Sequence, residues 1–243
     1  MNRNHHNKRI EKATTGGERM IKGLIFDLDG VITDTAEYHY LAWKSLAKKL
    51  DINIDREFNE QLKGISRMES LELILEHGNK ADAYTDEEKE ELATLKNDEY
   101  KEYIKEITPN DLLPGVHELL HQAKERGIGM ALASASKNGP EIMKRLEIED
   151  LFDGVVDPAT LKAGKPDPEI FIRGAELLGL SVDECIGLED AEAGIESINK
   201  AGMFSVGVGS KEAMAEADYA VESTADLSLD TIIKKALEGK KSN

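Results

Sequence analysis

The sequence predicts an α/β fold, a doubly wound parallel sheet interrupted by an all-helical insert directly after its first strand. Three observations carry that reading. From residue 114 onward, short apolar runs alternate with segments of helical period, joined by brief connections. Between 34 and 110 the apolar residues keep helical spacing and no strand pattern is found. The first apolar run ends in Asp27 and Asp29, with Gly30 following at once. A turn at this glycine leaves both acids at the carboxyl end of a strand, where open parallel sheets place their ligands.

Each element follows from its local pattern. The first strand is expected over 21–26. Thr35 is placed to cap the next helix, with Glu37 just inside it, and Trp43, Leu46 and Leu50 recur on one face. Leu92, Leu95, Tyr103, Ile104 and Ile107 keep a helical period through a charged segment until Pro109 and Pro114 stop it. Val116, Leu119, Leu120 and Ala123 form the face of a further helix, which Gly127 ends. Then come an apolar run over 128–133, a helix over 140–146, a short strand over 154–156 and a helix over 168–178. A strand over 185–188 leads through Glu189-Asp190 into a helix reaching Asn199, followed by a strand over 204–208 and a last one at Ala220-Val221. Strands alternating with helices through short connections mean a parallel sheet covered on both faces. The expected division is a disordered tail over 1–19, an α/β core over 20–33 and 111–243, and a helical insert over 34–110. Trp43, Tyr100 and Tyr103 read as core residues and Cys185 as a buried strand residue.

At 243 residues the chain holds one ordinary domain and a smaller one. Its formal charge of -17 argues against nucleic acid or an anionic membrane as a partner, because both reward a basic surface. A small anionic ligand needs only a local cluster of Lys and Arg, and is compatible with that charge. No window is apolar enough to span a bilayer. The single cysteine, Cys185, allows no intrachain disulfide, so a cytoplasmic location is expected.

The predicted topology brings four motifs to one rim. Asp27 and Asp29 follow one strand, Ser134-Ala135-Ser136-Lys137-Asn138 the next, and Glu189-Asp190 another, while Lys165 lies in a loop within reach of the same edge. Asp27 and Asp29 repel each other unless a cation or a proton intervenes. Oxygen-rich sites that accept a phosphate oxygen suit magnesium, and a carboxylate nucleophile can form an acyl phosphate. Phosphoryl transfer then asks mainly for charge neutralisation and alignment, which a lysine and hydroxyl or backbone donors supply. Asn138 and Glu141 have capping-box spacing, and the helix start beside them offers N–H groups to a phosphate.

These residues resemble the haloacid dehalogenase superfamily of phosphotransferases, and the four motifs stand in that superfamily's order. The likeness extends to its β-phosphoglucomutase family in Asp27-Leu28-Asp29-Gly30-Val31-Ile32-Thr33-Asp34-Thr35-Ala36-Glu37-Tyr38-His39, Leu62-Lys63-Gly64-Ile65-Ser66-Arg67, Ala133-Ser134-Ala135-Ser136-Lys137-Asn138-Gly139-Pro140 and Ile186-Gly187-Leu188-Glu189-Asp190. It covers the chain from about residue 20 to the C-terminal region. The resemblance implies a Rossmann-like core and makes the insert a substrate-selecting cap. It implies that Asp27 is the phosphorylated nucleophile and Asp29 the general acid and base. Magnesium is then held by the carboxylates of Asp27 and Asp190, the backbone carbonyl of Asp29, and Glu189. Ser134 and Lys165 orient and neutralise the transferring phosphoryl group, and Arg67 grips the other phosphate. His39, Lys96, Ser136, Lys137 and Asn138 line the sugar side, with Thr35, Gly64 and Ala135 completing the substrate-binding set. The implied reaction interconverts β-glucose 1-phosphate and glucose 6-phosphate through β-glucose 1,6-bisphosphate, in a monomer whose partners are small sugar phosphates. A phosphatase on the same scaffold, with water as acceptor, is the alternative that the rim motifs leave open.

Overall fold

The structure, a computed structural model, describes residues 18–239. Of the expected tail, 1–17 lie outside the described residues. Arg19 is within them, and its guanidinium donates to the carbonyls of Asp183 (3.1 Å) and Ala236 (3.0 Å), tying the chain to the core before the first strand.

Six strands form one parallel sheet in the order β3-β2-β1-β4-β5-β6. They are β1 (Gly23–Phe26), β2 (Gly129–Leu132), β3 (Gly154–Val155), β4 (Cys185–Glu189), β5 (Phe204–Val208) and β6 (Tyr219–Val221). Alternation along each strand divides the apolar residues between two faces. Leu24, Phe26, Met130, Leu132, Ile186, Leu188, Phe204 and Val206 enter one core. Ile25, Ala131 and Cys185 enter the other. Helices α5 (Val116–Glu125), α6 (Gly139–Arg145) and α9 (Leu229–Glu238) contribute to the first core. Helices α7 (Glu169–Leu177) and α8 (Glu192–Lys200) contribute to the second. Every expected strand is present, shortened or extended by a residue or two at its ends. The sequence reading had no counterpart for α9, although Leu229, Ile232 and Ala236 repeat at helical spacing and Ser228 accepts from Thr231 N–H as its cap.

Between β1 and β2 the described backbone contains helices α1 (Ala36–Lys49), α2 (Arg56–Asn59), α3 (Arg67–His77) and α4 (Asp86–Ile104), with 3-10 turns. These helices bury a core of their own, centred on Trp43, Leu46, Phe58, Leu71, Ile74 and Leu75. Helix α4 packs along α1. Its buried face is Ala93, Lys96, Tyr100 and Ile104, so Leu95 points outward and is 51% exposed, contrary to its place in the expected apolar period. The other four residues of that period, Leu92, Tyr103, Ile104 and Ile107, pack against the cores as expected, and Lys96 takes the inward position beside Leu95. The two chain crossings between the helical unit and the sheet lie against each other. Leu113 N–H donates to the Ile32 carbonyl (2.9 Å), Thr33 Oγ1 donates to the Asp111 carbonyl (2.6 Å), and Thr33 pairs with Leu112 in an antiparallel bridge.

Because the helical unit has a separate core, deleting its centre carries the usual large-to-small penalty. Leu71→Ala lowers unfolding free energy by about 2–5 kcal/mol, read from urea denaturation.

Candidate active site

The site lies where the chain reverses direction of travel across the sheet. From β1 it proceeds to β2 and β3 on one side, then returns to β4 on the other. The carboxyl ends of β1, β2 and β4 therefore adjoin, and Asp27, Ser134 and Glu189-Asp190 emerge from them. Gly30 makes the β1 turn with φ of 79°, in the left-handed region. A Cβ there would stand 1.8 Å from Asp190 Oδ2, so glycine also lets the two loops meet. Gly194 plays a matching part in α8, where a Cβ would lie 2.0 Å from Glu189 Oε2.

At the centre is a buried ion cluster. Lys165 Nζ donates to Asp27 Oδ1 at 2.9 Å and to Glu189 Oε2 at 2.8 Å, and Glu189 Oε1 accepts from the N–H groups of Asp190 and Ala191. Burial, reinforced by the Glu189 charge, pushes Asp27 well above the usual carboxylate range. Burial likewise raises Glu189, and it pushes Asp190 up to about 7 with help from the Asp27 charge. Burial works against the Lys165 ammonium, but the charges of Asp27 and Glu189 outweigh it and hold this lysine protonated. One oxygen from each of Asp27, Glu189 and Asp190 lies within 4.8 Å of the others. Three carboxylates facing one ammonium leave an excess of negative charge in an all-oxygen donor set, which fits a small hard divalent cation. The Asp29 carboxylate is not in that group.

Asp29 turns instead toward the helical unit. Its Oδ1 accepts from the Thr35 hydroxyl and from Thr35 N–H (3.1 Å), and its Oδ2 lies 3.3 Å from His39 Nε2. Burial alone would raise its pKa, yet the bonds from His39 and Thr35 overcome that and hold it below the ordinary carboxylate value. Two neighbouring acids are thus driven in opposite directions by different partners. His39 stacks on Tyr100 at 4.0 Å between centroids, and Lys96 Nζ lies 2.9 Å from its Nδ1. Burial and the Lys96 charge depress the His39 pKa, so the ring is neutral and gives its Nε2–H to Asp29. Lys96 is 4.7 Å from the Trp43 and Tyr100 ring centroids, and burial lowers it to about 7.

A cavity of about 300 Å³ opens between these groups and the helical unit. Among the expected site residues, Asp27, Asp29, His39, Gly64, Arg67, Lys96, Asp190 and all of 134–138 line it. Thr35, Lys165 and Glu189 stand behind this wall, Thr35 bonded to Asp29 and Lys165 bonded to both Asp27 and Glu189. Trp43 and Tyr100 are core residues as expected, but Trp43 also lines the cavity. Asn59, Ser70 and Asn97 line it without having been anticipated; ordinary polar residues on helices carry no sequence signal for such a position.

Two expected caps are corrected. Thr35 stands at the start of α1, but its hydroxyl bonds no helix N–H because Asp29 takes it. Asn138 stands at the start of α6 without capping it; its amide reaches Asn97, and Glu141 pairs with Arg145. Cys185 is fully buried, as expected, and burial pushes its thiol up to about 12.

Removing the central ammonium leaves Asp27 and Glu189 buried without compensation. In metal-free buffer, Lys165→Met loses about 3–5 kcal/mol of stability, measured by denaturant unfolding.

Comparison with known proteins agrees with this geometry. A family model described as haloacid dehalogenase-like hydrolase matches residues 21–202. The β-phosphoglucomutase of Bacillus subtilis is 54% identical over 212 residues, covering 87% of this chain and 94% of that protein. A β-phosphoglucomutase crystal structure from Clostridium difficile superposes with a TM-score of 0.89 at 52% identity, covering 90% of this chain and 98% of the other. A phosphorylated carbohydrates phosphatase of Thermotoga maritima is 29% identical over 188 residues, 75% of this chain and 82% of that protein. With its sheet order, its rim of acids and these likenesses, the chain belongs to the haloacid dehalogenase-like hydrolases.

Proposed function

We propose that this chain is a β-phosphoglucomutase, interconverting β-glucose 1-phosphate and glucose 6-phosphate through β-glucose 1,6-bisphosphate and an aspartyl-phosphate form of Asp27. The observation that carries the reading is the division between the two acids. Asp27 sits in the ion cluster with Lys165, while Asp29 is engaged by Thr35 and His39 from the helical side. The likeness to the Bacillus and Clostridium mutases over nearly the whole chain supports the mutase over the phosphatase alternative.

In the first half-reaction a sugar hydroxyl attacks the phosphorus on Asp27. An O–P bond forms at the sugar, the Asp27 O–P bond breaks, and the hydroxyl proton passes to the Asp29 carboxylate, which its partners keep ionised and receptive. After the bisphosphate reorients, the Asp27 carboxylate attacks the other phosphorus, and Asp29 returns its proton to the leaving sugar oxygen. Lys165 holds Asp27 in line and offsets charge. Ser134, buried at the cavity wall, faces the transferring group. Arg67 supplies positive charge for the second phosphate, and Lys96, His39, Ser136, Lys137 and Asn138 meet the sugar. Asp27, Asp190, Glu189 and the Asp29 carbonyl are the residues that would hold Mg²⁺, which when bound supplies charge neutralisation for the phosphoryl oxygens. The helical unit over 34–110 serves as a cap that shuts water out of the cavity. Among the described residues no helix is long and apolar enough to cross a membrane, in keeping with small sugar phosphates as the partners.

Purified protein given β-glucose 1-phosphate, Mg²⁺ and a trace of the bisphosphate yields glucose 6-phosphate and does not turn over the α anomer. Free phosphate released without glucose 6-phosphate would assign the phosphatase instead. Asp27→Asn abolishes turnover; full retention by that variant removes Asp27 as nucleophile.

The lowered Lys96 sets a pH dependence. Its ammonium form, the one that attracts an anionic sugar phosphate, predominates in the free protein only below about pH 7. Hence kcat/KM falls as pH rises above about 7. Lys96→Met flattens that limb and lowers kcat/KM throughout.

A further inference from the structure

Besides the Thr35 and His39 contacts to Asp29, a side-chain bond in the cavity joins the helical unit to the loop after β2. Asn138 Nδ2 donates to Asn97 Oδ1 at 2.8 Å. Asn138 is 8% exposed and follows β2, whereas Asn97 is half-buried on α4, 41 residues earlier. Asn138 is also tied backward along its own loop. Its backbone N–H donates to Ser136 Oγ (3.2 Å), its Nδ2 lies 3.4 Å from the same oxygen, and Ser136 N–H donates to Ser134 Oγ (3.1 Å). A chain of bonds therefore runs from α4 through Asn138 and Ser136 to Ser134, beside the phosphoryl position.

The neighbouring residue on α4 runs a parallel connection. Lys96 reaches His39, and His39 reaches Asp29. Adjacent residues of one helical turn thus address both halves of the chemistry, the proton shuttle through Lys96 and the phosphate loop through Asn97. Neither connection survives if the helical unit moves off the sheet.

We propose that Asn97 is a positioning residue: it seats the cap against the 134–138 loop and so favours transfer to a sugar hydroxyl over transfer to water. This inference rests on the mutase reading above and refines it. The Asn97 side chain bonds through Asn138 and has no assigned part in the bond-making steps. Its loss lets the loop and the cap separate more often, and water then reaches phosphorylated Asp27.

The test uses the full chain with Mg²⁺, β-glucose 1-phosphate and a trace of bisphosphate, and reads free phosphate against glucose 6-phosphate. Alanine is a better helix former than asparagine, so Asn97→Ala leaves α4 intact, which thermal unfolding checks. A net hydrogen bond corresponds to about a three- to tenfold change in an equilibrium, and the ratio of free phosphate to glucose 6-phosphate in Asn97→Ala rises by that factor. Asn138→Ala raises it as well, and the double variant raises it no further than Asn138→Ala alone. Amide hydrogen exchange supplies a readout independent of turnover: 134–138 exchanges faster in Asn97→Ala while β1 and β4 are unchanged. A wild-type product ratio together with wild-type exchange overturns the proposal, as do independent, multiplicative effects of the two substitutions. If the wild-type chain forms no glucose 6-phosphate, the mutase reading fails, and the seating role is then decided by the exchange measurement alone.

Discussion

Lys165 carries its charge in the interior, with its ammonium between Asp27 and Glu189 and its side chain fully buried. The rest of the site depends on that arrangement. Without it, two carboxylates at the ends of β1 and β4 would face each other across a distance that neither could sustain in ionised form. With it, the Lys165 charge works against the rise that burial and Glu189 impose on Asp27, and the carboxylate stays at the cavity wall. The cluster costs folding energy, and the sheet meets that cost through two apolar cores that hold β1 and β4 in parallel register. A carboxylate buried among like charges at a cavity wall is an arrangement that stability alone does not explain, and it fits the nucleophile role proposed for Asp27.

The second acid shows how environment separates chemically identical groups. Asp29 is two residues from Asp27, yet the turn at Gly30 sends it toward Thr35 and His39, both in or next to α1. Its state therefore depends on the helical unit, while that of Asp27 depends on the sheet. His39 in turn rests on Tyr100 and meets Lys96, so α4 supports Asp29 from behind. In the mutase reading proposed above, where Asp29 shuttles the proton, this support from the helical unit links its docking with the chemistry.

Much of the sheet was legible because its signal is local. An apolar run of four to six residues ending in an acid or a hydroxyl is readable at β1, β2 and β4 without tertiary knowledge. Strand alternation then assigns Leu24 and Phe26 to one face and Ile25 to the other. Errors arose where a side chain had two local options. Thr35 and Asn138 both sit at helix starts, and propensity assigns them to capping. Asp29 and Asn97 compete for them, and those competitors arrive only through folding. At Leu95 the α4 period departed from expectation because Lys96 takes the inward place, lying against Tyr100 of its own helix and against Trp43 and His39, which folding brings to it.

The sequence by itself determined the alternation of strands and helices, the acids and hydroxyls at the strand ends, and the helical character of the insert. Each depends on period, turn residues or strand polarity over a few neighbours. Tertiary structure alone decided the partners: Lys165 between Asp27 and Glu189, Asp29 held by the helical unit, and Asn97 on Asn138. Those pairings span 138, 24, 10 and 41 positions of chain. Except for His39 on Asp29, they join elements that become neighbours only once the sheet order and the docking of the helices are set. Charge and hydrogen bonding act over a few ångströms of space, and residue spacing along the chain does not record them.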